Sequence, residues 1–140
     1  MSIHRILVVD DDTLSRDFLV EAARELGYEP SSAASAAEAL ERLSKTPVDL
    51  VVSDLRMNGM DGLELVRRIQ EEWPDVATVV VTAHGTIEAA VQAMRCGASD
   101  FMLKPCTTEA LEIVVDRISK TRRLEHENVY LREAVHGSEP

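Results

Sequence analysis

The chain has 140 residues, the length of one domain that can bury a core without staples. Hydrophobic residues make up 45% and aromatics 4%, the make-up of a soluble globular protein. Acidic residues outnumber basic ones by 25 to 15, and the formal net charge of -10 gives a surface that repels nucleic acid and anionic membrane.

Cys96 and Cys106 cannot form a disulfide framework and lack metal-ligand spacing, so both are expected to be small hydrophobes kept reduced. The one apolar run near the start, Ile6 to Val9, is too short for a signal peptide and meets three aspartates at once. No stretch approaches the ~20 apolar residues of a membrane span. A cytoplasmic location is expected.

Ile6-Leu7-Val8-Val9 is a continuous apolar run rich in β-branched residues, as in a parallel strand buried on both faces. Leu14, Phe18, Leu19, Ala22, Ala23 and Leu26 then recur at helical spacing, and Gly27 supplies the stop. A short strand follows around Glu29 to Ala33. Ser35 to Glu38 reads as a capping box that opens a second helix with Ala39, Leu40 and Leu43 on its inner face. Leu50-Val51-Val52-Ser53 is the next buried strand. It runs into Asp54 and a loop rich in turn formers, Asn58 to Gly62. Leu63, Val66 and Ile69 mark a third helix that stops before Pro74. Ala77 to Val81 is a fourth strand ending at Thr82, and Ile87, Ala90, Val91 and Met94 carry a fourth helix to Gly97. Asp100 to Leu103 forms the fifth strand, closed by Lys104-Pro105. Thr107 or Thr108 caps a last helix beginning near Glu109.

Strands alternating with helices imply a parallel sheet covered on both faces through right-handed crossovers. For five such units the flavodoxin-like order 2-1-3-4-5 is the common solution. Every strand then ends on one edge, and that edge collects Asp10, Asp11 and Asp12, with Asp54, Thr82 and Lys104. Strands one and three are neighbours in this order, so Asp10, Asp11 and Asp54 should converge, with Thr82 and Lys104 beyond Asp54. Close carboxylates repel unless a cation sits among them. Oxygen ligands without Cys or His favour Mg²⁺, with Mn²⁺ as the alternative. Asp54 can then act as a carboxylate nucleophile toward a phosphoryl donor, Lys104 as a point charge for the phosphoryl oxygens, and Thr82 as a hydroxyl donor. Asp12 is expected to be a helix cap.

These stretches resemble the response-regulator receiver domain, over residues 4–120. The residues that carry the likeness are Ile6 to Asp12, Asp49 to Met57, Met60-Asp61-Gly62, Val79 to Ala83, and Gly97 to Pro105. The resemblance implies that Asp54 is the phosphoacceptor, served by a sensor histidine kinase. It implies that Asp11 is the direct Mg²⁺ ligand, that Asp10 acts mainly through water, and that the main-chain carbonyl of Arg56 is the third protein ligand. Thr82 and Phe101 match the family's switch pair, which acts on the face of helix four, strand five and helix five. Lys104-Pro105 matches its Lys-Pro with a cis peptide. Asn58 stands where the family usually has Pro, which should loosen the loop without removing a ligand. His84 falls where side chains modulate dephosphorylation, whereas His4, His126 and His136 carry no metal or catalytic pattern.

The last helix lacks Gly and Pro to about Val135. Thr121, Leu124, Asn128, Leu131 and Val135 continue its spacing as a heptad-like seam with Asn128 at a core position. Residues 1–120 are thus expected to form the receiver, and 121–140 a helical linker or coiled-coil extension with a tail. Leu124 to Glu133 resembles the linker that follows receivers in sigma-54-dependent transcription activators, and Thr82 to Met94 with Asp100-Phe101 resemble that subgroup, whose proteins continue into an AAA+ ATPase and a helix-turn-helix. Neither a Gly-x-x-x-x-Gly-Lys loop nor a basic DNA-reading helix occurs in these 140 residues. The expectation is a regulatory module, not a turnover enzyme. It would dimerise through helix five and its extension, and would reach DNA and sigma-54 polymerase only through other domains. Three rivals are weaker. A haloacid-dehalogenase-type phosphatase would pair Asp10 with Asp12 and leave Asp54 idle. A docking-only receiver typically lacks the acidic pair or the lysine, and a flavin or nucleotide module needs a Gly-rich loop after strand one.

Overall fold

The computed structural model describes residues 3–57, 59, 61–83 and 87–122. Expectations for Asn58, His84 and the seam beyond residue 122 lie outside them.

The five strands are β1 (Arg5–Val9), β2 (Glu29–Ala33), β3 (Leu50–Asp54), β4 (Ala77–Thr82) and β5 (Asp100–Leu103), all but the polar β2 built on apolar runs. Between them lie α1 (Thr13–Glu25), α2 (Ala36–Lys45), α3 (Gly62–Glu72) and α4 (Ile87–Arg95), and a last helix, α5, is described over 108–122. All pairings are parallel, in the expected order β2-β1-β3-β4-β5.

Side-chain alternation divides the core into two layers. Ile6, Val8, Leu50, Val52, Val79, Val81 and Met102 face α1 and α5, meeting Leu19, Ala22 and Ala23 of the first helix and Leu111, Val114, Val115 and Ile118 of the last. Leu7, Val9 and Val51 face the opposite way, toward Ala39 and Leu43 of α2 and Leu65 and Ile69 of α3. On the same side Val80 meets Val66 and, from α4, Ala93. Each of these fully buried aliphatic side chains contributes about 1.5–3 kcal/mol over leaving it in water.

The helix starts follow their caps. Asp12 accepts from the Ser15 N–H, Ser35 from Glu38 and Asp61 from Glu64, satisfying amides that a first turn leaves unpaired. The capping box at α2 differs in one bond. The Glu38 carboxylate reaches back past Ser35 to the N–H of Ala34. Thr107, the first of the two expected threonines, accepts from Ala110 and caps α5.

Helical spacing does not by itself decide which residues of α1 and α4 are buried. Leu14 is 80% exposed and Phe18 45%, because the Lys104–Cys106 turn stands off from α1 and leaves a cavity of about 500 Å³ that both residues line. Among the described residues of α4 the buried one is the small Ala93, which packs with Val66 and Val80, while Val91 and Met94 face outward.

Candidate functional site

The site is assembled from chain that has just left the sheet. The β1–β3 register ends with Val9 opposite Ser53, so Asp10 and Asp54 lie one step beyond, side by side. Asp10 is 1% exposed, while Asp11 is exposed and Asp54 half-buried. A carboxylate oxygen from each of the three lies within 4.8 Å of the others. Asp12 points elsewhere, as the cap of α1.

Lys104 enters from the far side. Its N–H donates to the Thr82 carbonyl at 2.9 Å, and the Lys104–Pro105 peptide is cis, as the family likeness implied. Its ammonium donates to Asp54 Oδ2 at 3.2 Å and stands 3.9 Å from Asp10 Oδ2. Burial alone would lower the Lys104 pKa. The hydrogen bond and charge of Asp54, with the charge of Asp10, outweigh it and hold the pKa above the usual lysine value. The Asp10 carboxyl is raised from its ordinary value, chiefly by burial. The Asp12 N–H bonding Oδ1 at 2.9 Å opposes this, and the neighbouring Asp54 charge adds to it. Three carboxylates therefore meet, two of them beside one ammonium, and the buried Asp10 is biased toward protonation. An oxygen-only set with this excess of negative charge suits a hard divalent cation such as Mg²⁺.

Thr82 ends β4 and is 7% exposed. Val80 pairs with Phe101 and Thr82 with Leu103, so Thr82 and the half-buried Phe101 stand diagonally on one face of the sheet, toward α3 and α4. Arg56 lies exposed in the loop after Asp54. That loop is closed at its base, where Leu55 bonds to Val81 and Gly62 to Leu55.

Three contributors were not singled out from sequence. A Cβ on Gly62 would lie 2.5 Å from the Asp54 carbonyl oxygen, so glycine there lets α3 pack onto the Asp54 backbone. Arg16 donates to the Asp10 carbonyl at 2.9 Å. Asp49 accepts from the N–H groups of His4 and Arg5, both at 2.9 Å, joining the starts of β1 and β3. An arginine in a helix's first turn reads as solvated, and only the Met-Asp-Gly motif hinted at Gly62. Cys96 and Cys106 are free thiols, as expected. The Cys106 pKa is raised, first by burial; the Lys104 charge opposes this, while those of Asp10 and Asp54 add to it.

A five-stranded parallel sheet in this order, with an acidic cluster and a lysine at the carboxyl edge, defines the class of receiver-like α/β signalling domains. Residues 6–116 match the model of the response regulator receiver domain, and the chain belongs to that family. It is 41% identical over 133 residues to the C4-dicarboxylate transport transcriptional regulatory protein DctD of Rhizobium meliloti, covering 95% of this chain and 29% of that protein. The crystal structure of NtrX from Brucella abortus is similar with a TM-score of 0.85 at 35% identity, over 94% of this chain and 30% of that one. A response regulator receiver domain from Clostridium thermocellum aligns with a TM-score of 0.80 at 27% identity, over 87% of this chain and 98% of that one. The likeness to receivers of sigma-54-type activators read from the sequence is thus supported by transcriptional regulators among the relatives. The chain spans about three tenths of the length of the curated relatives it matches. Among the described residues no helix is long and apolar enough to cross a membrane.

Proposed function

We propose that the chain is the phosphorylation-controlled receiver of a two-component system, in which Asp54 takes a phosphoryl group from a phosphohistidine of a sensor kinase. The observation that carries this reading is the meeting of Asp10, Asp11 and Asp54 within 4.8 Å, with the Lys104 ammonium on Asp54 Oδ2. Asp11, Asp54 and the main-chain carbonyl of Arg56 would hold Mg²⁺ (or Mn²⁺), with Asp10 acting through water. The cation supplies neutralising charge for the transferred group. A carboxylate oxygen of Asp54 forms the bond to phosphorus as the bond to the donor imidazole breaks, and the imidazole nitrogen leaves with the electron pair. Lys104 balances charge on the phosphoryl oxygens, and Thr82 donates a hydroxyl to one of them. The exposed Leu14 and Phe18 give the kinase an apolar surface beside the acceptor.

Control then passes from Thr82 to Phe101 on the same sheet face, and outward to α4, β5 and α5. Val91, Met94, Leu103 and Ile113 leave apolar groups exposed on those elements. In this reading residues 1–120 are the receiver and 121–140 a helical linker that dimerises with α5. Contact with DNA and sigma-54 polymerase would lie in other domains of a cytoplasmic transcription activator. The module is not a turnover enzyme, since one phosphoryl group loads one Asp54.

Intact mass after incubation with Mg²⁺ and acetyl phosphate tests the reading. One phosphoryl adduct is expected, lost in Asp54→Asn and with a chelator. An adduct that persists in Asp54→Asn would sink the assignment, and so would failure to bind beryllofluoride where no adduct forms. A strictly monomeric chain at high micromolar concentration, phosphorylated or not, would remove the dimer.

A further inference from the structure

We infer that Arg16 is a positioning residue that holds the peptide joining Asp10 to Asp11, and through it the affinity of the acidic cluster for a divalent cation. The inference rests on the reading of Asp10, Asp11 and Asp54 as a cation site.

Asp10 is the first residue past β1. Its N–H is still tied to the sheet, donating to the Ala33 carbonyl at 3.1 Å. Its carbonyl lies beyond the last β1–β3 pairing, Val9 with Ser53. There the Arg16 guanidinium donates to it at 2.9 Å, in a part-buried setting. The carbonyl of Asp10 and the N–H of Asp11 belong to one rigid plane. Fixing that oxygen therefore fixes the plane on which both α-carbons sit and narrows the directions in which the two side chains leave the backbone. Asp10 has burial and the Asp12 N–H to hold it as well. Asp11 is exposed and less packed, so the plane behind it bears directly on its aim.

Helix formation does not require this contact. The start of α1 is set by the Asp12 side chain on the Ser15 N–H, and by the Arg16 main-chain N–H on the Asp12 carbonyl at 3.0 Å. The Arg16 side chain is thus free to serve the turn. It also brings a second positive charge to an edge where three carboxylates cluster and two of them face the Lys104 ammonium.

The test is magnesium affinity, measured by calorimetry and by the Mg²⁺ dependence of acetyl-phosphate labelling, for the full 140-residue chain and for Arg16→Met and Arg16→Lys. Arg16→Met is expected to raise the half-saturating Mg²⁺ about tenfold, the low end for removing a partner that orients a metal ligand. The labelling rate at saturating Mg²⁺ should stay near wild type. Arg16→Lys, whose ammonium can reach the same carbonyl with fewer donors, should recover most of the affinity. Unchanged half-saturation in Arg16→Met, or a rate loss that added Mg²⁺ does not restore, overturns the inference. If Arg16→Met does not fold, Arg16→Ala takes its place, with the same rise of about tenfold in half-saturating Mg²⁺ expected and an unchanged value refuting. Wild type that binds Mg²⁺ but takes no phosphoryl group refutes the proposed function while leaving the Arg16 comparison readable. Wild type that binds no Mg²⁺ overturns both.

Discussion

Gly62→Ala is a single methyl group placed against the Asp54 backbone. The new Cβ would meet the Asp54 carbonyl oxygen at 2.5 Å and the Leu55 Cα at 2.9 Å. Neither neighbour can rotate away, since both are main chain. Reaching the 3.4 Å of ordinary contact requires the two segments to part by about 0.9 Å at the oxygen. The Gly62 N–H also bonds to the Leu55 carbonyl at 2.9 Å, so parting stretches the bond that closes the loop. Overpacking of this kind costs about 1–3 kcal/mol. A displacement near 1 Å at a reacting group costs on the order of 10²-fold in rate. Because α3 and the strand end share the movement, a slowing of about 10- to 100-fold is expected. The assay is the initial rate of phosphoryl incorporation from acetyl phosphate at saturating Mg²⁺, followed by intact mass, beside a thermal melt. Wild-type rate together with wild-type Tm would show that this contact does not position Asp54.

Three further outcomes follow from the same geometry. Asp10 carries a raised pKa, chiefly through burial, so the folded state is destabilised wherever that carboxyl is ionised. Asp10→Asn keeps an acceptor for the Asp12 N–H and should raise Tm near pH 7 while losing the stabilisation that Mg²⁺ gives wild type; a lower Tm would contradict this. Thr82→Ala should still accept a phosphoryl group but lose the phosphorylation-dependent shifts of α4 amides in NMR spectra, and normal α4 shifts would break the proposed coupling. Asp49 is buried enough to raise its pKa, yet the Arg5 and His4 amides outweigh that and hold it below the usual value. Its contribution is present above the ordinary aspartate pKa and fades as pH falls through the lower folded one. Asp49→Ala should cost about 1–3 kcal/mol in urea unfolding at pH 7. The gap to wild type should shrink at pH 3, and a constant gap would refute the charge argument.

The strand-end acids were legible because a parallel sheet delivers every strand's carboxyl end to one edge, whatever packs on its faces. Asp54, Lys104 and the acid pair needed only the strand order, which the alternation of elements supplied. The exposure of Leu14 and Phe18 was not legible, for the converse reason. Helical periodicity marks which residues share a face, but whether that face is covered depends on the Lys104–Cys106 turn, ninety residues away in sequence. Arg16 was invisible because its partner is a carbonyl, and main-chain atoms leave no mark in a sequence. Gly62 was seen as a turn former, yet its reason is the distance to Asp54, which only the packing of α3 reveals.

The same distinction weighs against the phosphatase alternative. That chemistry requires Asp10 and Asp12 to act together, and their spacing alone permits it. In the fold the two carboxylates diverge. Asp10 turns into the cluster, while Asp12 Oδ2 accepts from the Ser15 N–H at 2.9 Å and its pKa is lowered, first by the hydrogen bonds from Ser15. A carboxylate held ionised at a helix N-terminus is a poor general acid for a leaving group. Asp54, idle in that scheme, instead shares the cluster with Asp10 and holds the Lys104 ammonium. The acid next to the lysine is the one at the end of β3, and it is there that a phosphoryl group would find both a nucleophile and balancing charge.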